Sequence, residues 1–201
     1  MAIWRYIKEH DNGITNFHFE IAADILNEEE MDLLATFRPG LAQLEIGVQS
    51  TNIQTIHEID RMMDFDMVTQ KVQRVASAEN IHQHLDLIAG LPEDTPEGFR
   101  RTLDKCLSYG ADNITVHTLS LKKGSRILLE NFTIPSAEAV GEMLDYANAA
   151  LRQADFRPYY LYRQKYMSGS FENTGWCISG AEGLYNIYIM EELHSILSLG
   201  A

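Results

Sequence analysis

The stretch Leu85-Asp86-Leu87-Ile88-Ala89-Gly90-Leu91-Pro92 decides the fold of this chain. Its apolar residues predict a buried strand, Gly90 predicts a turn, and residues 93–99 have the pattern of a capped helix start. Asp86 lies inside the apolar run, where a carboxylate is costly unless something binds it. The stretch therefore predicts a strand that ends at a ligand.

Length and charge limit the class of protein. The 201 residues suit one domain or slightly more. A formal net charge of −13 argues against nucleic acid and against an anionic membrane surface. No apolar run approaches the ~20 residues that span a bilayer, and the two cysteines, Cys106 and Cys177, provide no disulfide framework. We predict a cytoplasmic protein. Because both ends lie in or beside apolar or helical segments, we also expect a part of a larger protein.

Strand-like and helix-like patterns alternate along the chain. They predict strands at residues 16–21, 41–48, 82–89, 113–119 and 157–163. They predict helices at residues 27–37, 53–62, 65–76, 95–109, 135–154 and 185–197. Residues 168–183, rich in Gly, Ser and Asn, are predicted to be an irregular loop that could act as a lid. Strands separated by helices pair in parallel, so the fold class is α/β, either a TIM-type barrel or an open doubly wound sheet.

Polar residues lie at or near the ends of four predicted strands. They are Glu20, Gln49, Ser50, Asp86, His117, Thr118 and Ser120. Each alone is commonly a hydrogen-bonded core residue. In a parallel barrel, however, the carboxyl ends of the strands meet on one face, where ligands bind. The four strands together therefore predict a binding site there.

A metal site is the main alternative. His82, His84 and Asp86 alternate along one strand, so they face one side of it. A His-x-His pair on a barrel strand can bind a metal, as in metal-dependent hydrolases, and His18 and His117 could add ligands. The histidines lie in the half of the strand that is remote from the usual site. A structural role is therefore favoured, and no metal ligand is assigned.

The segments Gly47-Val48-Gln49-Ser50, Arg61 and residues 85–92 together resemble the core pattern of the radical S-adenosylmethionine (SAM) enzymes. The resemblance is strongest to the oxygen-independent coproporphyrinogen dehydrogenase, or oxidase, branch. It implies a partial, incomplete TIM-type barrel with parallel strands and outer helices in residues 1–125. It also implies a C-terminal α/β extension, residues 126–201, that corresponds to the substrate region of that branch.

The resemblance implies six positions in SAM binding: Glu20, Gln49, Arg61, Asp86, Ile88 and Ser120. Gln49 and Asp86 would accept hydrogen bonds from the ribose hydroxyls, and Arg61 would pair with the SAM carboxylate. These roles suit the residue types. Ile88 and Ser120 would line the adenine. Glu20 would contact the methionine part of SAM or a neighbouring ligand.

The two halves of the chain resemble different branches. Residues 1–91, including Phe17-His18-Phe19-Glu20-Ile21-Ala22, are similar to radical enzymes that carry an upstream cobalamin-binding domain. Residues 99–201 are similar to coproporphyrinogen dehydrogenase. Cobalamin is thus a possible further cofactor, a porphyrinogen is a possible small-molecule substrate, and Tyr162, Arg163 and Gln164 are predicted to face it.

One feature of the resembled family is absent from the sequence. The Cys-x3-Cys-x2-Cys loop, whose three thiolates hold a [4Fe-4S] cluster, does not occur, and only Cys106 and Cys177 are present. We therefore expect a portion of a radical SAM oxidoreductase that is inactive alone and lacks the N-terminal half of its barrel. In the resembled branch the reaction is oxidative decarboxylation of coproporphyrinogen propionates. A non-catalytic barrel fragment that needs a partner remains a further alternative.

Overall fold

The computed structural model describes residues 2–59, 61, 64–163, 165–193 and 195. Its strands are β1 (Phe17–Ile21), β2 (Ala42–Gln49), β3 (His82–Ala89), β4 (Asn113–Thr118), β5 (Arg157–Tyr162) and β6 (Asn173–Cys177). Its helices are α1 (Ala2–Glu9), α2 (Glu28–Leu34), α3 (Ile53–Glu58), α4 (Phe65–Ala76), α5 (Pro96–Leu107), α6 (Arg126–Leu129), α7 (Ala137–Gln153) and α8 (Leu184–Met190). No helix in these ranges has both the length and the apolar character needed to cross a membrane.

The described strands form one sheet in the order β1-β2-β3-β4-β6-β5. Strands β1 to β4 are parallel neighbours, with α2 to α5 in the connections between them. This arrangement confirms the predicted α/β class. Since β1 and β5 are the two edges of the described sheet, these strands form an open, partial barrel rather than a closed one.

The prediction of an irregular loop at residues 168–183 is wrong, because β6 lies within it. Strand β6 is antiparallel to both β4 and β5, so the sheet is not wholly parallel. Its sequence, Asn-Thr-Gly-Trp-Cys, mixes strand-favouring Thr and Trp with strand-disfavouring Asn and Gly, so tertiary pairing decides its conformation. Gly175 lies opposite Tyr160, whose ring occupies the space that a Cβ at position 175 would need.

Several local predictions are confirmed and two are shortened. Strand β3 and helix α4 have the predicted bounds, and the Asn27–Glu30 capping box is complete. The helix predicted at residues 53–62 ends at Glu58, with residues 60, 62 and 63 outside the described part. The helix predicted at 185–197 is described as α8, Leu184–Met190.

The outer face of the sheet is apolar and lies under the helices. Along β2 the residues alternate between buried and half-buried, because successive side chains point to opposite faces. One apolar cluster includes Phe99 of α5, Met143 of α7 and Trp176 of β6. A second packs α1 and α2 against the β1–β2 end of the sheet. The helices therefore cover one face and leave the other for polar residues.

The predicted division at residue 125 stays a prediction. Strands β5 and β6 follow that position, yet they continue the same sheet as β1 to β4. Helix α7 contributes Met143 to the same apolar cluster as Phe99 of α5. Described contacts thus join the two predicted regions along the sheet and through its core.

Candidate functional site

The inner face of the sheet carries a band of polar side chains. Glu20, Glu45 and His84 are neighbours in register on β1, β2 and β3. Asp86 lies two residues beyond His84, beside Gly47 of β2. Period-two alternation explains why all of them share a face. The band therefore runs across the parallel strands toward their carboxyl ends.

Histidine and carboxylate groups alternate along this band. His18 Nε2 lies 3.2 Å from Glu45 Oε2, and His84 Nδ1 lies 3.4 Å from the same oxygen. His84 Nε2 is 3.4 Å from Asp86 Oδ1, and His117 Nε2 is 3.3 Å from that oxygen. Three imidazoles and two carboxylates thus form a continuous row across four strands.

His84 is the most enclosed member of the row, with 1% of its side chain exposed. Its Nε2 forms a 2.6 Å hydrogen bond with Thr115 Oγ1, which in turn lies 3.1 Å from the Tyr160 hydroxyl. Burial lowers the pKa of His84 to about 4, and this outweighs the opposite influence of Glu45. The ring is therefore neutral at neutral pH.

The end of β2 brings three predicted residues together. Gln49 has φ of 65°, a left-handed conformation that costs energy for a residue other than glycine. The pairing with β3 is irregular between Gly47 and Gln49. Arg61 Nη1 donates a 2.9 Å hydrogen bond to the Gly47 carbonyl. A Cβ at position 47 would collide with the Gln49 amide and come within 3.4 Å of Arg61 Nη1, so glycine permits this close approach.

Asp86 lies beside that corner because it pairs in register with Gly47. Its side chain is 14% exposed. Within the described part of the chain, Asp86 Oδ1 and Gln49 Oε1 are buried acceptors without a hydrogen-bond partner. Ile88 follows on the same face and is half-buried. The strand is followed by Gly90, which has a φ of 89°. A Cβ at this position would lie 3.0 Å from Val140 Cγ2, so both the backbone conformation and the packing disfavour a side chain.

The remaining predicted residues lie in different surroundings. Glu20 is exposed next to Glu45. Ser120 follows β4, and its hydroxyl donates a 3.0 Å hydrogen bond to the Lys165 carbonyl. No contact that would bring Ser120 to the Gln49–Asp86 corner is described.

The structure places two of the three predicted substrate residues on or after β5. The Tyr162 ring stacks on Tyr160 with centroids 6.3 Å apart. Arg163 Nη2 donates to Glu172 Oε2 at 3.0 Å; the Arg163 side chain is largely exposed and that of Glu172 is partly exposed. Gln164 lies outside the described residues.

The metal set His82, His84 and Asp86 is not assembled. Half of the His82 side chain is exposed, and its Nδ1 faces Asp112 at 3.3 Å. Residues two apart on a strand are separated by about 6.6 Å, so neighbouring strands supply closer donors than the same strand does. Among the described residues, the groups compact enough for a metal contain Glu45 and omit His82.

Sequence reasoning missed Glu45, Thr115 and Tyr160 as members of the inner face. A signal existed for the first two of them. Glu45 precedes Gly47 by two residues, so strand alternation puts it on the same face as Gly47 and Gln49. The same alternation puts Thr115 on the face of His117, two residues later on β4, and the parallel β3–β4 pairing brings it to His84. Only the Tyr160 contact depends on how β5 and β6 return to β4.

The fold is similar to that of solved enzymes of the radical SAM class. The solved coproporphyrinogen III oxidase HemN from Escherichia coli, described as a radical SAM enzyme, matches with a TM-score of 0.69 and 17% identity. That match covers 94% of this chain and 41% of that chain. The archaeal Elp3 of Methanocaldococcus infernus matches with a TM-score of 0.55 and 16% identity, over 66% of this chain and 32% of that one. No family model matches the sequence.

The sequence is homologous to the oxygen-independent coproporphyrinogen III oxidases. It is 33% identical to the oxidase-like protein HemZ of Bacillus subtilis over 88% of this chain and 35% of that protein. It is 28% identical to the oxygen-independent coproporphyrinogen III oxidase of Salmonella typhimurium over 71% of this chain and 33% of that protein. The chain thus spans about a third of the length of these curated relatives. The resemblance inferred from the motifs is confirmed.

Proposed function

We propose that this chain is the SAM-binding and substrate-facing part of a radical SAM enzyme of the oxygen-independent coproporphyrinogen oxidase type. The observation that carries the proposal is the corner formed by Gly47, Gln49 and Arg61 beside Asp86. The substrate of such an enzyme would be a small molecule of the porphyrinogen class. A cytoplasmic location is also proposed, and it is supported by two free cysteines.

The residues at this corner fit SAM. Ribose hydroxyls would donate to the buried oxygens of Gln49 and Asp86, which have no hydrogen-bond partner among the described residues. The Arg61 guanidinium has five N–H donors and can pair with the SAM carboxylate while Nη1 holds the Gly47 carbonyl. Ile88 and Ser120 remain the proposed adenine neighbours, and Glu20 is the proposed contact of the methionine part.

The residues of this chain do not fit the iron–sulfur cluster that accompanies SAM in such enzymes. Cys106 lies in α5 and Cys177 in β6, and both are buried. Burial raises the pKa of Cys106 to about 12 and that of Cys177 to about 11. Since cluster ligands are thiolates, no step is assigned to a cluster on this chain. Cobalamin, likewise, stays a prediction from the sequence.

In a complete enzyme of this type, an electron from the cluster would cleave SAM, and the resulting radical would remove hydrogen from the substrate. The chain's own part is to hold SAM in one orientation through Asp86, Gln49 and Arg61, which lowers the entropic cost of reaction. Arg163 is proposed to bind a substrate carboxylate. Its present partner, Glu172, is partly exposed, so a propionate group could replace it with a bidentate pair.

Titration of SAM by calorimetry tests the proposal. Asp86→Ala is expected to weaken SAM binding by about tenfold to a hundredfold, because a hydrogen bond to a charged group contributes about 1.5–3 kcal/mol. Asp112→Ala is the matched control, since Asp112 pairs with His82 on the partly exposed part of the sheet. Equal affinity of the two variants for SAM would contradict the proposal.

Gly47→Ala tests the geometry of the corner without removing a proposed ligand. The new methyl group would displace the ends of the Gln49 and Arg61 side chains. We expect roughly tenfold weaker SAM binding and little change in unfolding temperature, because both displaced groups are flexible. Gly141→Ala, whose nearest neighbour would be Phe171 at 3.4 Å, is the control. Unchanged SAM affinity in Gly47→Ala would rule out this role for the corner.

A further inference from the structure

A second set of ligand-type atoms lies on the inner face, away from the Gln49–Arg61 corner. His18, Glu20 and Glu45 each present one donor atom, and these atoms lie within 4.8 Å of one another. Glu45, His84 and Asp86 form an overlapping set that shares Glu45. Both sets combine imidazole with carboxylate.

The proposed SAM contacts account for Glu20 but not for His18 or Glu45. In the described part of the chain, His18 Nδ1, His18 Nε2 and Glu45 Oε2 are enclosed atoms without a hydrogen-bond partner. His18 Nε2 and Glu45 Oε2 face each other at 3.2 Å without the alignment of a hydrogen bond. Leaving enclosed polar atoms unsatisfied is costly. A cation bound between them would satisfy both atoms at once.

Their spacing is that of two ligands of one ion. Metal–nitrogen and metal–oxygen distances of about 2.1 Å put neighbouring ligands about 3.0–3.4 Å apart. The 3.2 Å between His18 Nε2 and Glu45 Oε2 lies in this range. The exposed Glu20 beside them shows that the set is open to solvent on one side.

The two central residues are held in place by their neighbours. The His18 ring stacks on Tyr185 of α8 with centroids 4.1 Å apart and an interplanar angle of 11°. Glu45 Oε2 is also approached at 3.4 Å by His84, whose other nitrogen is bound to Thr115. Ligands fixed by such outer contacts lose little freedom when an ion binds.

We propose that His18, Glu20 and Glu45 bind one divalent transition-metal ion of the zinc or ferrous-iron type. One imidazole and two carboxylates suit these ions, and three protein ligands leave coordination positions open. The metal site shares Glu20 with the proposed SAM contacts, whereas His18 and Glu45 have no role in the proposed SAM corner. His84 positions Glu45 and is not assigned as a ligand.

Titration of the metal-free chain with Zn²⁺, using Co²⁺ absorption as a second probe, tests this site. The chain is expected to bind one Zn²⁺ per molecule. His18→Ala and the shape-conserving Glu45→Gln are each expected to weaken binding at least tenfold. His82→Ala, a partly exposed histidine outside both donor sets, is the control and should bind as the unchanged chain does.

The same variants are also titrated with SAM, so that the two proposals fail separately. Retained SAM affinity with lost Zn²⁺ binding in Glu45→Gln supports a separate metal site. No Zn²⁺ binding by the unchanged chain overturns the metal site, as does equal binding by all variants. If His18→Ala does not fold, as judged by circular dichroism, the Zn²⁺ affinity of Glu45→Gln alone decides whether the metal site exists.

Discussion

No 5′-deoxyadenosine is expected from this chain after incubation with iron, sulfide, a reductant and SAM. Cluster assembly requires three thiolates, and the sequence has two cysteines. Both are buried, and burial raises the pKa of each thiol to about 11 or above. The expected effect is therefore the complete absence of SAM cleavage, even where SAM binds.

Chromatography of the quenched reaction provides the measurement. A complete oxygen-independent coproporphyrinogen III oxidase, treated in parallel, is the positive control for reconstitution. SAM affinity measured on the same preparation of this chain separates a lack of chemistry from a lack of binding. Robust 5′-deoxyadenosine from the chain alone would contradict the expectation and require a different source of electrons.

Acid is expected to destabilise the fold through His84. Burial lowers the pKa of His84 from 6.5 to about 4 in the folded state, whereas the unfolded chain keeps the ordinary value. Above pH 6.5 both states hold a neutral ring, so His84 contributes no pH dependence. As the pH falls from 6.5 toward 4, the unfolded state binds the proton first, and the free energy of unfolding decreases. The full loss is about 3 kcal/mol.

Urea unfolding at a series of pH values measures this effect. His84→Gln removes the titrating ring and is expected to flatten the decrease between pH 6.5 and 4. His82→Gln is the matched control on the same strand. The Asp112 carboxylate raises the pKa of His82, so that residue stabilises the fold at low pH, and its loss should not flatten the curve. If the free energy of unfolding of His84→Gln decreases with pH as steeply as that of the unchanged chain, then other titrating groups cause the acid destabilisation.

Local sequence patterns were sufficient to predict the strands and helices whose ends carry a turn or capping motif. Apolar runs bounded by a turn located β3, and Asn27 with Glu30 located the start of α2. The short strand β6 could not be predicted in this way. Its residues pair because β4 and β5 flank them and because Gly175 accommodates the Tyr160 ring. Such contacts join residues far apart in the chain and leave no local pattern.

The residues of the candidate site also differ in whether the sequence alone could identify them. Asp86 could be recognised from the sequence because a carboxylate within an apolar strand signals a ligand. Strand alternation puts Glu45 and Thr115 on the inner face, but alternation alone does not mark a site residue, because polar residues in strands are common at exposed positions. Their importance comes from the register that puts them beside His84.

The sequence by itself determined the α/β class and the parallel pairing of strands separated by helices, and it marked Gln49 and Asp86 as polar residues at or near strand ends. These follow from periodicity and from residue type, which act over a few neighbouring positions, whereas Arg61 was predicted only from the resemblance to a known family. Only the tertiary structure decided the antiparallel return through β6, the left-handed turn at Gln49 and the row of histidines and carboxylates across β1 to β4. The physical reason is that pairing register and burial arise between strands, and burial also makes His84 a neutral base.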